Sequence, residues 1–240
     1  MDIYWLGHAC FKLKGKNATV VIDPYDPEFT GLKLPKDPPA GRAGPPASLP
    51  AGKAGRAGLS ADVVLVTHNH QDHNNSQAVT TTPAGVPPMV FKEPGEYEVA
   101  GVVMTGIQSF HDDAQGSQRG LNTIFNLLFD GLNIVHLGDL GQTKLTEEQL
   151  AQIGETDILL IPVGSIYTIN GKAASDIVSQ LEPKIIIPMH YKIEGLKFEL
   201  EGVEGFLKEM GAEGVVVQPK LSITKDKLPE EPMVVVLSKS

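Results

Sequence analysis

Six consecutive residues, His68-Asn69-His70-Gln71-Asp72-His73, carry three imidazoles and a carboxylate directly behind the apolar run Val63 to Val66. The run reads as a buried strand, so the cluster begins where that strand ends, in a loop. Such a density of polar rings is not a core pattern. Side chains two apart on an extended segment share a face, which lets His68 and His70 grip one ion. After the chain bends, Asp72 and His73 can point to a second ion beside the first. Neutral imidazole and carboxylate are the donors that borderline divalent cations prefer.

Further donors recur at the same kind of place. His111 follows the apolar stretch 102–110, Asp139 follows Ile134 to Leu137 with Gly138 as a sharp turn, and His190 follows Ile185 to Met189. An α/β scaffold assembles a site in this way, by bringing several strand ends to one edge of a sheet. Taken singly, each has a plainer alternative: a hydrogen-bonded core or surface histidine, or an aspartate that steadies a turn.

The rest of the chain supplies the strands. Segments 2–6, 9–14, 18–22, 63–66, 102–110, 123–129 and 132–137 read as strands, with Asp130-Gly131 as a two-residue hairpin turn. In the second half strands and helices alternate. A capping box of Thr146 and Gln149 starts a helix, and strand 157–163 follows. Ala173, Ile177, Val178 and Leu181 stripe a helix that stops before Pro183, strand 184–188 comes next, and Val203, Phe206, Leu207 and Met210 stripe another helix ending at Gly211. Continuous apolar strands need cover on both faces, so the class is a layered α/β body. Residues 36–60, rich in Pro, Ala and Gly, stand apart and read as a mobile surface insertion within a single domain 1–240, with Arg42, Lys53 and Arg56 solvated.

Composition narrows the function. With 41 % hydrophobic and 20 % charged residues the chain is neither disordered nor fibrous. A net charge of −9 repels phosphate backbones, which argues against long nucleic acid as a partner and leaves a small-molecule substrate. The lone Cys10 cannot form an internal disulfide and reads as a small buried residue. The start has no signal-peptide pattern, and apolar runs such as 158–162 are far below the roughly 20 residues of a membrane helix. The expectation is a cytoplasmic protein away from membranes; a homo-oligomer is left open.

In order, His68-x-His70-x-Asp72-His73, His111, Asp139 and His190 resemble the metal signature of the metallo-β-lactamase superfamily. Trp5-Leu6-Gly7-His8-Ala9, Val21-Ile22-Asp23-Pro24, His136-Leu137-Gly138-Asp139 and Pro188-Met189-His190-Tyr191 are similar to the branch of metal-dependent hydrolases related to ascorbate-6-phosphate lactonase. The likeness spans the chain except 36–60. It implies a four-layer αββα sandwich with a dinuclear site at one sheet edge. It also implies His68, His70 and His111 on one ion, Asp72, His73 and His190 on the other, and Asp139 between them. Two cations sharing a water would bring its pKa toward neutrality and polarise a carbonyl or phosphoryl oxygen. Zinc is the first expectation for this thiolate-free set, with manganese or iron as alternatives.

The expected activity is hydrolysis of a small ester, lactone or related carbonyl compound. A phosphodiesterase or ribonuclease of the same fold is the alternative, and a redox or binding protein a third reading that His70 disfavours. Asp72 is the candidate to orient the nucleophile, and His8 a candidate substrate-side hydrogen bonder or proton donor. Asp23 is a candidate acceptor for a ligand's ring N–H. His136 and Tyr191 read as packing residues, Arg119 as a surface cation with a possible anion role, and Asp112 and Asp113 as a solvated acidic loop.

Overall fold

The structure, a computed structural model, describes residues 1–36, 58–81 and 87–240. From the N-terminus come β1 (Asp2–Gly7), β2 (Cys10–Lys14), β3 (Thr19–Ile22), the one-turn helix α1 (Pro27–Thr30), β4 (Leu59–Ser60), β5 (Val63–Leu65), β6 (Val79–Thr80), β7 (Met89–Phe91) and β8 (Gly95–Val99). Then follow β9 (Val102–Phe110), β10 (Leu121–Phe129), β11 (Leu132–His136), α2 (Glu147–Ile153), β12 (Ile158–Pro162), α3 (Gly171–Leu181), β13 (Ile185–Met189), α4 (Glu204–Glu209), β14 (Leu221–Ser222) and β15 (Met233–Val234). One sheet has the order β14-β1-β2-β3-β5-β7, the other β15-β13-β12-β11-β10-β9-β8, and β4 pairs with β6.

Alternation along the strands builds the layers. Val20 and Ile22 of β3 and Val63 and Leu65 of β5 point into the main core with Phe125, Phe129 and Val135 of the second sheet. Val21 and Val64 point the other way, into a smaller cluster with Leu6, Cys10, Tyr25, Leu196 and Leu200. Parallel strands β3 and β5 are thus apolar on both faces, as burial on both sides requires. On the far side of the second sheet, Ala174, Ile177 and Leu181 of α3 and Phe206 of α4 close the core. The result is the αββα sandwich, with α1, the β4–β6 pair and the loop around Leu196 as its fourth layer.

Strand directions decide where the site lies. In the first sheet β1 and β3 each run antiparallel to β2, and β5 runs parallel to β3. In the second, β9 and β11 flank β10 antiparallel, while β12 and β13 continue parallel to β11. Residues following β1, β3, β5, β9, β11 and β13 therefore emerge at one edge.

Several expectations need correction. Val203 to Met210 yields only the six-residue α4, with Met210 as its C-cap. Strand β10 begins at Leu121, two residues early, while β12 and β13 differ by one residue at their ends. The insertion does not extend to residue 60: Leu59 is 2 % exposed and β4 pairs with β6, because Leu59 fills the smaller apolar cluster. Arg42, Lys53 and Arg56 lie outside the described residues. Among the described residues no helix is long and apolar enough to cross a membrane.

Candidate metal centre

All seven expected ligands converge at that edge. One atom each from His68, His70 and His111 lie within 4.8 Å of one another, as do one each from His8, Asp72, His73 and His190. Asp139 stands between these sets. Its Oδ2 is 3.9 Å from His68 Nε2, 3.2 Å from His73 Nε2, 3.4 Å from His111 Nε2 and 3.1 Å from His190 Nε2. His8, expected at the substrate side, is instead fully buried among the second set, because its backbone is bound between β1 and the end of β13: His190 N donates to His8 O at 3.0 Å. Trp5 Nε1 donates to the same carbonyl at 2.8 Å.

A single carboxylate behind the site sets two of these rings. Asp23 Oδ1 accepts from Thr67 N and Oδ2 from Thr67 Oγ1, each at 2.8 Å. Its Oδ2 also accepts from His73 Nδ1 at 2.9 Å. Having given its proton to Asp23, the Thr67 hydroxyl offers only a lone pair to His68 Nδ1, 3.0 Å away, so His68 carries its proton there. His68 then turns an unprotonated Nε2 toward Asp139, while His73, its Nδ1–H committed to Asp23, is left with Nε2 as the nitrogen to offer a cation once it has lost its proton. Thr67 escaped the sequence reading, although its place between the strand end and His68 was the available signal. Asn122 escaped it too: its Oδ1 accepts from Asp139 N at 3.0 Å while its Nδ2 donates to Leu137 O and Ser109 Oγ.

The backbone is forced at the same places. His8, Asp23 and His190 have φ of 56, 48 and 53°, a left-handed region that costs a non-glycine residue of order 1–3 kcal/mol. Each stands immediately after a strand end, where the turn aims the side chain inward. Gly141 and Gly164 press against backbone oxygens of His111 and His190, where a Cβ would sit 2.4 and 2.0 Å away.

Electrostatics follow from burial. Burial and neighbouring cationic imidazoles hold His68 and His111 below the ordinary histidine range. Burial, reinforced by His190, pushes His8 down to about 4. His73 goes the other way: burial would lower it, and Asp139, Asp23 and Asp72 outweigh that and raise it. Burial would raise Asp139, and His190 and His73 hold it well below the carboxylate range. Asp72 is likewise held low against its burial by His73 and His8, with His8 Nε2 3.1 Å from its Oδ2.

The donor set fits divalent cations. His68 Nε2, His73 Nε2 and Asp139 Oδ1 are buried with no hydrogen-bond partner. An unsatisfied buried polar group costs about 1–3 kcal/mol, and a cation is what imidazole lone pairs facing a carboxylate can satisfy together.

Other candidates are placed elsewhere. His136 accepts from Gly138 N and donates from Nε2 to Ala9 O at 2.9 Å, pinning the two sheets together. Tyr191 packs its ring 4.9 Å from Trp5. Asp112 corrects the expectation of a solvated loop: it is buried, and its carboxylate accepts from the backbone N–H groups of Ala114, Gly116, Gln118 and Arg119. Four donors offset its desolvation and coil the loop after His111, whereas Asp113 is exposed. The Arg119 guanidinium donates to Ile166 O and Tyr167 O.

The model of the Beta-lactamase superfamily domain matches residues 2–190, which include every one of the metal-ligand candidates. The chain belongs to that superfamily. A UPF0173 metal-dependent hydrolase of Methanoculleus marisnigri is 30 % identical, over 80 % of this chain and 81 % of its own. Another, from Archaeoglobus fulgidus, is 28 % identical over 91 % of this chain and 94 % of its own. The crystal structure of a candidate Zn-dependent hydrolase of the metallo-β-lactamase superfamily from Thermotoga maritima is 35 % identical, with TM-score 0.71, covering 98 % of this chain and 97 % of that one.

Proposed function

We propose that this superfamily member is a hydrolase that holds two divalent ions, zinc first among them, and opens a small ester, lactone or related carbonyl substrate. The carrying observation is Asp139 Oδ2 lying within 3.9 Å of Nε2 atoms from both histidine sets. His68, His70 and His111 would hold one ion, Asp72, His73 and His190 the other, with Asp139 shared. Relatives that are metal-dependent hydrolases support the reading, as does the absence of thiolate from the donor set, which leaves imidazole and carboxylate.

Bound divalent ions would supply a water of near-neutral pKa and polarise the substrate oxygen. The chain's own residues do the rest. Asp72 stays ionised and is 15 % exposed, so its carboxylate faces both the donor cluster and the open side of the edge, where it can take up a proton from the attacking water. His8, neutral at pH 7, serves as a positioning residue, since its Nε2–H fixes the Asp72 oxygen 3.1 Å away. Asp23, through His73 and Thr67, holds two imidazoles in the tautomer a cation needs. Lactone opening in particular is suggested by the Trp5-to-Ala9 and Pro188-to-Tyr191 segments that resemble the lactonase-related branch.

Zinc-loaded protein should turn over lactones, thioesters or aryl esters, and Asp72→Ala and His190→Ala should each lose at least about a hundredfold in kcat/KM. Turnover of bis-p-nitrophenyl phosphate alone would replace carbonyl chemistry with phosphodiester cleavage. Variants matching the parent on every substrate would move the site elsewhere.

A further inference from the structure

Helix α1 behind β3 and the loops that leave the C-terminal ends of β12 and β13 each contribute an aromatic ring to one surface beside the metal centre. Phe198 stands edge-on to His8, with centroids 5.2 Å apart at 78°. Phe29 and Tyr167 flank Phe198, each 6.1 Å away. Two of these rings face solvent: Phe29 is 45 % and Tyr167 37 % exposed, next to Ile166 at 48 %.

These rings are held in place rather than left loose. Lys197 N donates to Thr30 O and Glu201 N to Gly164 O, so the loop bearing Phe198 is tied to both neighbouring segments. Ser165 and Ile166 sit at φ of 60 and 25°, conformations that persist only where the surroundings impose them. Arg119, in the segment before β10, holds that loop from a different part of the chain. Its guanidinium donates to Ile166 O at 3.1 Å and Tyr167 O at 3.4 Å and lies 5.4 Å from the Tyr167 ring centroid. The cation is thereby committed to carbonyls and a ring face, which makes it a positioning residue for Tyr167. Contiguous exposed aromatic surface, one ring of it carried by a strained loop, is the kind of patch that a flat apolar group covers.

We infer that Phe29, Tyr167 and Phe198 are the wall against which the substrate lies, and that the substrate carries an uncharged aromatic group, or a flat apolar group of that size, beside its scissile carbonyl. The substrate class rests on the hydrolase reading above; the wall itself does not. Arg119 lies over one face of Tyr167, and Phe198 meets Tyr167 edge-on at 83° and Phe29 at 44°. The planar surface that the partly exposed Phe29 and Tyr167 present favours a stacked flat group over a flexible chain.

The test uses full-length, metal-free, isotopically labelled protein titrated by NMR with three probes: 4-phenyl-2-butanone, 2-butanone and 4-phenylbutyrate. The phenyl ketone should bind at least about fivefold more tightly than 2-butanone, shifting the amides of residues 29, 167 and 198. Phe198→Leu, which keeps apolar bulk, and Tyr167→Ala should each weaken it roughly three- to tenfold. Equal binding of the two ketones, or shifts confined elsewhere, would overturn the proposal. So would tighter binding of phenylbutyrate that Arg119→Ala abolishes, since the subsite would then recognise an anion. In zinc-loaded protein a phenylacetate ester should exceed the matching acetate ester in kcat/KM by about the same factor. If the phenyl ketone binds at the wall and no ester is cleaved, the carbonyl-hydrolase reading fails while the wall stands.

Discussion

At the scale of single residues, the arrangement turns on Asp23 rather than on any ligand. It accepts His73 Nδ1–H and, through Thr67, fixes the tautomer of His68. Asp23→Asn should leave the fold intact and weaken zinc binding roughly 10- to 100-fold, measured by competition with a chromogenic chelator. His8 makes a pH prediction in the metal-free protein. Its folded pKa, about 4, lies below the unfolded 6.5, so between those values the unfolded chain binds a proton that the folded one does not. Stability from this group is therefore complete above pH 6.5 and falls as pH drops toward 4, by about 3 kcal/mol. Denaturant midpoints of wild type and His8→Gln, taken from pH 7 to 4.5, should show a shallower decline in the variant; parallel declines would contradict it. That these donors come together was legible from three histidines within six residues and from further His and Asp residues directly behind apolar strands. Thr67 and Asn122 were not, since a threonine and an asparagine acquire their roles only from partners 44 and 17 residues away.

At the scale of elements, the central strands and the capping box of α2 were readable from local pattern, and the sheet edges were not. Strands β7, β8, β14 and β15 are the four edges of the two main sheets. An edge strand lacks a neighbour on one side and needs no continuous apolar run; β8 shows this with Glu96 and Glu98 exposed. The loop joining β12 to α3 illustrates the opposite extreme, a contact that tolerates no side chain. A Cβ at residue 164 would meet His190 O at 2.0 Å, so Gly164→Ala must displace either that loop or the backbone of His190. The expected destabilisation is about 1–3 kcal/mol by chemical denaturation, together with weaker metal binding. Unchanged metal affinity would show that the loop alone moves. By contrast Thr146→Ala, which removes the box closed by Gln149, should cost about 1 kcal/mol and leave metal binding untouched.

For the molecule as a whole, two sheets converge so that strands from both deliver donors to one edge, and ion binding is thereby linked to stability of the complete sandwich. At free zinc about a thousandfold above its Kd, stability should rise by about 4 kcal/mol, and chelation should reverse that gain in a thermal melt. Loading must also release protons, because His73 is held above the ordinary histidine range by three carboxylates and has to become neutral to ligate. Zinc affinity should accordingly strengthen as pH rises, and calorimetry in buffers of different ionisation enthalpy should register the release. The most direct measurement is anomalous diffraction at the zinc edge from crystals of the loaded protein. Two peaks flanking the Asp139 carboxylate, one within reach of His68, His70 and His111 and the other of Asp72, His73 and His190, are the expected result. A single peak away from Asp139, or none at this edge of the sheets, would contradict it.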